Sequence, residues 1–170
     1  MAITTGRRSL YWLSTVAGII LGLIFITAGL GKILHPTAIL DTFYHYLPRF
    51  APYFLTSAFT DAILVWLPRA ELVIGLLMIV GVLARLMSVL SLLLTAGFIA
   101  NNVWLLNHGQ GHSPCGCLGA VEEVFGVTLS ATGALYMDLV MMVLALVILL
   151  GYRGTFLNPY PWFLKRDSNG

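Results

Sequence analysis

An all-α integral membrane fold, a four-helix bundle with long loops on its outer side, is what this sequence predicts, and three observations predict it. The chain of 170 residues is 59% hydrophobic and only 9% charged, with a mean hydropathy of +0.92. A soluble domain carries about 25% charged residues, so there is too little polar surface here for a water-facing globule, and the solvent for most of the chain is lipid. Apolar runs about as long as a bilayer-crossing helix recur four times, and the basic residues are divided unequally between the two sides those runs would separate. A net charge of +2 without a Lys/Arg cluster excludes a nucleic-acid partner.

The length suits a single four-transmembrane domain over residues 1–170. The first span is expected over 10–34. Its uncharged stretch from Leu10 to Gly31 is 22 residues, longer than the ~7–15 of a secretory apolar core, so Arg7 and Arg8 are read as flanking a span rather than opening a cleaved leader. The second span is expected over 62–84, with Pro68 in its first turn, where a missing N–H costs nothing, and Trp66 and Leu67 ahead of it at the interface. The third is expected over 86–106 and the fourth over 133–152. Only a few residues around Arg85 join the second and third, which makes them antiparallel neighbours. The loop 35–61 holds three prolines among Phe43, Tyr44, Tyr46, Phe50, Tyr53 and Phe54. That aromatic richness suits a segment lying on the membrane, with a short helix over 37–47. The loop 107–132 carries both cysteines.

With four spans, Arg7, Arg8, Arg85, Arg153, Lys165 and Arg166 share one side, whereas Lys32, Arg49 and Arg69 lie on the other. The positive-inside rule puts both termini in the cytoplasm and both long loops outside, on the oxidising face of a bacterial inner membrane. Gly18 and Gly22, Ala28 and Gly29, and Gly75 are small residues suited to close helix packing within the bundle, the commoner use of such spacing than a dimer interface.

Chemistry is concentrated in two places. Cys115 and Cys117 are the only cysteines, separated by Gly116 and preceded by Pro114. A disulfide closing so short a loop is strained and readily reduced, and a thiolate near a helix N-terminus is stabilised. Three readings stay open: a redox-active pair, a structural pair, or a metal site formed with His108 and His112. The second place is a charged cluster at the outer helix ends, made of Lys32, Arg69, Glu71 and Asp138 at similar depth beneath the cysteine loop. Lys32 is expected to pair with Glu71 or Asp138, since charges within spans are costly and usually paired. The bland alternative is a set of boundary charges that snorkel or offset helix dipoles. Asn101 and Asn102 suit interhelical hydrogen bonding. No histidine falls inside a span, His35 and His45 included, so haem ligation is not expected. No phosphate-cradling glycine loop, Ser-His-Asp pattern or HExxH occurs.

These residues carry a resemblance. Ala28, Gly29, Lys32 and Pro36 resemble the AGxxKxxxP end of the first helix in DoxX-like proteins. Leu47 and Pro48, then Pro68, Glu71, Gly75, Leu76 and Leu77, resemble the LP and PxxExxxGLL elements of the MauE (methylamine utilisation) branch. The run from Pro114 to Gly119 resembles that branch's CGCFG motif, with Leu118 in place of phenylalanine. The resemblance spans about residues 18–150 and implies a four-helix membrane protein. It also implies maturation of a periplasmic partner by disulfide formation, the role attached to MauE in making methylamine dehydrogenase. Cys115 and Cys117 would then be the redox pair, while Lys32 and Glu71 occupy motif positions without a settled role. The chain departs from the pattern in its aromatic 35–61 loop and its aromatic C-terminal tail.

Two functions are therefore expected to compete. One is a thiol–disulfide redox role on the outer face through Cys115 and Cys117, toward a periplasmic thiol client, with a quinone as the electron acceptor that such chemistry admits. The other is a non-catalytic accessory subunit of a larger respiratory or photosynthetic membrane complex, bound to other membrane subunits, in which the cysteines only staple a loop.

Overall fold

The structure is a computed structural model and describes residues 2–34, 53–109, 111, 112 and 129–151, with side chains from residue 12 in the first helix and, apart from residue 62, from residue 65 in the second. Among the described residues the regular elements are all helices: α1 (Ala2–Leu34), α2 (Tyr53–Val80), α3 (Ala84–Asn107) and α4 (Ala131–Gly151). Within them Trp12–Leu34, Ala84–Asn107 and Ala131–Gly151 are each long and apolar enough to cross a bilayer, which makes this a multi-pass membrane protein. The side chains turned outward agree with a lipid solvent: Leu13, Val16, Leu23, Leu93, Val143 and Leu150 are exposed, an arrangement water would penalise.

Each helix runs antiparallel to the neighbours it packs on. α1 and α2 meet backbone to backbone where Gly22 faces Gly75. A Cβ on either glycine would stand 2.7 Å from the other's carbonyl oxygen. Seven residues along, a Cβ on Gly29 would stand 2.8 Å from the Pro68 carbonyl. The register rises along α1 as it falls along α2. α4 lies against α1, where the Ser14 hydroxyl donates to the Val147 carbonyl at 3.4 Å, and against α3, where Asn102 meets Asp138. The apolar core threads between them through Ala17, Leu21, Phe25, Ile74, Met78, Met87, Met141, Ala145 and Ile148.

α2 departs from expectation at both ends. It begins at Tyr53, so residues 53–61 are helix rather than loop. Pro68 therefore lies in the helix interior rather than in its first turn. An interior proline removes one i→i−4 bond and crowds the carbonyl four residues back. Here the proline is fully buried, so packing offsets the lost bond to the Leu64 carbonyl, while Arg69 turns its guanidinium onto the next carbonyl, that of Val65, at 2.5 Å. At the other end α2 stops at Val80, not at residue 84. Gly81, at φ 75°, donates to the Met78 carbonyl and Val82 donates to that of Leu77. This double bond pattern closes a helix through a left-handed glycine. Leu83, at φ 53°, then opens α3, and Arg85 falls in its first turn rather than in the connection. The short helix expected over 37–47 and most of the loop 107–132 lie outside the described residues.

Candidate functional site

Every helix has a buried stripe at three- and four-residue spacing, and in each a polar or charged residue holds a place in it. On α1 the stripe runs Leu21, Phe25, Ala28, Lys32; on α2 Pro68, Glu71, Ile74, Met78; on α4 Ala131, Ala134, Asp138, Met141, Ala145, Ile148. On α3 it is Ala84, Met87, Ser88, Ser91, Thr95 and, two turns further on, Asn102 and Leu105. Because side chains three and four apart share one helix face, this phase carries Lys32, Glu71, Asn102 and Asp138 into the interior. Glu71 and Asn102 are fully buried, and Lys32 and Asp138 are each 6% exposed.

The Lys32 ammonium is 2.5 Å from Glu71 Oε1 and stands 4.8 Å above the centre of the Phe98 ring, a cation–π distance. Asn102 donates through Nδ2 to Asp138 Oδ2 at 2.8 Å, and it lies one turn along α3 from Phe98, over which Lys32 stands. One residue from each helix thus builds a single polar cluster. Its second Glu71 oxygen, Oε2, is buried with no hydrogen-bond partner. Burying one cation and two carboxylates among apolar helices costs several kcal/mol per ion unless they pair, so the cluster holds the four helices in a particular relation. Replacing Asn102 by alanine, which strands Asp138 Oδ2, is expected to cost about 1–3 kcal/mol. Replacing its exposed neighbour Asn101 should stay within about 0.5 kcal/mol. Unfolding curves in detergent measure both.

The cluster differs from expectation in depth and membership. The pairing of Gly22 with Gly75 and of Gly29 with Pro68 sets the α2 backbone at Glu71 opposite Ile26, six residues or about 9 Å inward of Lys32. Helical side chains tilt toward their own N-terminus. Lys32 therefore reaches inward and Glu71 outward, and the two meet between. Glu71 lies deep because α2 starts 15 residues before Pro68 instead of just ahead of it. Arg69, out of phase with the stripe, is exposed and bound to the Val65 carbonyl. It does not join the cluster. Phe98 and Thr95 were not anticipated. The signal for Thr95 was the hydroxyl spacing at 88, 91 and 95 that continues to Asn102.

Cys115, Cys117, His35 and His45 lie outside the described residues. Of the histidines placed near the cysteines in sequence, His108 is exposed, stacks on Trp104 with ring centres 4.0 Å apart, and has Nδ1 2.8 Å from the Trp104 carbonyl. His112 is exposed. Among the described residues no group of histidine, cysteine or carboxylate side chains could hold a metal ion. The segment carrying the cysteines is bracketed by a hydrogen-bonded pair: Thr132 donates to the Gly111 carbonyl through its backbone N–H at 3.3 Å and its hydroxyl at 3.1 Å. Gly111 follows the end of α3, and Thr132 precedes Asp138 by six residues on α4. The bracket therefore sits about 9 Å along α4 from the backbone of Asp138.

A family model described as methylamine utilisation protein MauE matches residues 10–151. No curated protein and no solved structure matches the chain.

Proposed function

Since the chain belongs to the MauE family, we propose that it is a thiol–disulfide exchange protein acting on the outer face of a bacterial inner membrane through Cys115 and Cys117. The observation that carries this reading is the Gly111–Thr132 bracket. It ties both ends of the cysteine segment to the end of the helices that holds the Lys32, Glu71, Asn102 and Asp138 cluster. In this reading α2 also crosses the membrane and both termini are cytoplasmic, in keeping with the excess of basic residues there. The oxidised pair accepts two electrons and two protons from a client dithiol. The client gains a disulfide and Cys115 and Cys117 become thiols. Reoxidation then transfers two electrons and two protons to an acceptor of the quinone class. A client thiolate attacks one sulfur of the Cys115–Cys117 disulfide and releases the other as a thiolate, and the client's second thiolate then resolves the mixed disulfide.

The test is the redox state of the pair in native membranes, read by thiol mass-tagging across a graded glutathione series. The expected result is a dithiol/disulfide that equilibrates inside that range, with client oxidation lost when both cysteines are changed to serine. A bond that resists reduction throughout, or thiols that never oxidise, would overturn this reading in favour of an accessory subunit whose cysteines have no redox role.

A further inference from the structure

The buried face of α3 is polar along most of its length, and thiol exchange makes no use of it. Ser88, Ser91, Thr95 and Asn102 are each 0% exposed and share one stripe about 21 Å long. Such small polar residues also allow helices to approach, and two of them are satisfied in the way hydroxyls in apolar helices usually are. Ser88 donates to the Ala84 carbonyl at 2.7 Å and Ser91 to that of Met87 at 2.8 Å. Thr95 is different. Its Oγ1 is fully buried and makes no hydrogen bond, although the Ser91 carbonyl lies one turn back. The second such oxygen is Glu71 Oε2, on the helix facing α3. At the opposite end of the stripe is a cavity of about 20 Å³ bordered by Ser14, Thr15, Met78, Gly81 and Ala84. That is room for about one water molecule. Ala84 both borders this cavity and accepts the Ser88 hydrogen bond, so the cavity abuts the stripe.

Polar atoms without protein partners, in a setting that offers no bulk water, are the places where an internal water is held. We propose that the α3 stripe is a proton path. Water enters at the cavity beside the Gly81–Leu83 turn. The Ser88, Ser91 and Thr95 hydroxyls and waters lodged at Thr95 and Glu71 relay protons to the Glu71 carboxylate. Asp138, slightly exposed beside Asn102, opens the path to the other end. Lys32 on α1, Glu71 on α2, and Asp138 on α4 are the ionisable groups facing the path at that end, with Phe98 and Asn102 completing the wall from α3. A proton moves down its electrochemical gradient and no bond other than O–H bonds is exchanged. Rows of ionisable and hydroxyl groups inside membrane helices serve this use elsewhere in membrane proteins. The proposal does not rest on the thiol–disulfide reading.

The experiment is proton flux into liposomes that hold an entrapped pH dye and the full-length protein, driven by a potassium diffusion potential. Wild-type protein is expected to exceed protein-free vesicles at least several-fold. Thr95→Val, which keeps the side-chain volume and removes the hydroxyl, is expected to bring the rate down to that of empty vesicles. Thr95→Ser should restore it. The Cys115→Ser/Cys117→Ser protein should conduct like wild type, which separates this outcome from that of the redox test. An entrapped fluorescent anion must stay inside throughout, so that a general leak is not read as proton flux. If Thr95→Val fails to insert, Ser91→Ala serves as the second variant with the same expectation. A wild-type rate equal to that of protein-free vesicles, or an undiminished rate in the hydroxyl-deleted variant, would overturn the proposal.

Discussion

Changing Lys32 to methionine is expected to destabilise the protein by about 3–5 kcal/mol, the cost of leaving one member of a buried ion pair alone. Glu71 is 0% exposed and is bound to the ammonium through Oε1, while its other oxygen already lacks a partner. Its backbone lies about 9 Å inward of Lys32, and its side chain is too short to reach the interface from there. The mirror change, Glu71→Leu, is expected to cost less. Lys32 is two residues from the end of α1, and its four-carbon stem can swing the ammonium outward to the membrane surface. The double variant Lys32→Met/Glu71→Leu should recover most of the loss, because replacing both partners by apolar groups of similar size is often neutral. Unfolding of the four proteins in mixed micelles, analysed as a double-mutant cycle, measures the coupling directly. A cycle in which the two single changes simply add would show that the pair does not act as a unit. The pattern of losses matters as much as their size: equal costs for the two single variants would contradict the depth difference that the Gly22–Gly75 register imposes.

Gly75→Ala is expected to cost about 1–3 kcal/mol, as an overpacked core position does. The new methyl would stand 2.7 Å from the Gly22 carbonyl oxygen and 2.8 Å from Ile26 Cγ1. Ile26 can change rotamer, whereas the carbonyl belongs to a helix backbone and can retreat only if α1 and α2 separate. Gly22→Ala meets the same constraint from the other side, at 2.7 Å from the Gly75 carbonyl and 2.8 Å from Ile79 Cγ1. Combining the two should cost less than their sum, since the first separation of the helices makes room for the second methyl. Gly97 is the control. Nothing lies within 4 Å of a Cβ built there, so Gly97→Ala should be neutral or stabilising by up to about 1 kcal/mol through helix propensity. Because Lys32 and Glu71 meet across the same α1–α2 contact, the tight-packing variants should also lower the coupling between them, whereas Gly97→Ala should leave it unchanged.

The all-helical class, the lipid solvent and most of the helix positions could be read from the chain by itself. Composition and the length of an apolar run act through the solvent, and each is a sum over residues that needs no knowledge of neighbours. The same holds for Gly22 and Gly75 as packing residues, and for Lys32, Glu71 and Asp138 as costly charges that call for partners. The start of α2 was not legible. A proline next to an interfacial tryptophan reads locally as a helix beginning, and only tertiary packing, which buries Pro68 and sets its carbonyl against Gly29 of α1, offsets its cost fifteen residues into a helix. That one displacement changed the depth of Glu71. Arg69 is two residues from Glu71 in sequence, yet residues two apart point to different sides of a helix, and the phase of the buried stripe sends it outward.

What the sequence by itself determined is therefore the membrane, the helices and the residue types that must pair. The tertiary structure alone decided that Lys32 takes Glu71 and Phe98 while Asp138 takes Asn102, and that Thr95 is left inside without a partner. The physical reason is register. Pairing across helices depends on how far each is slid and turned against the next, and that is set by contacts such as Gly22 on Gly75, where two backbones touch, rather than by the spacing of residues along either chain segment.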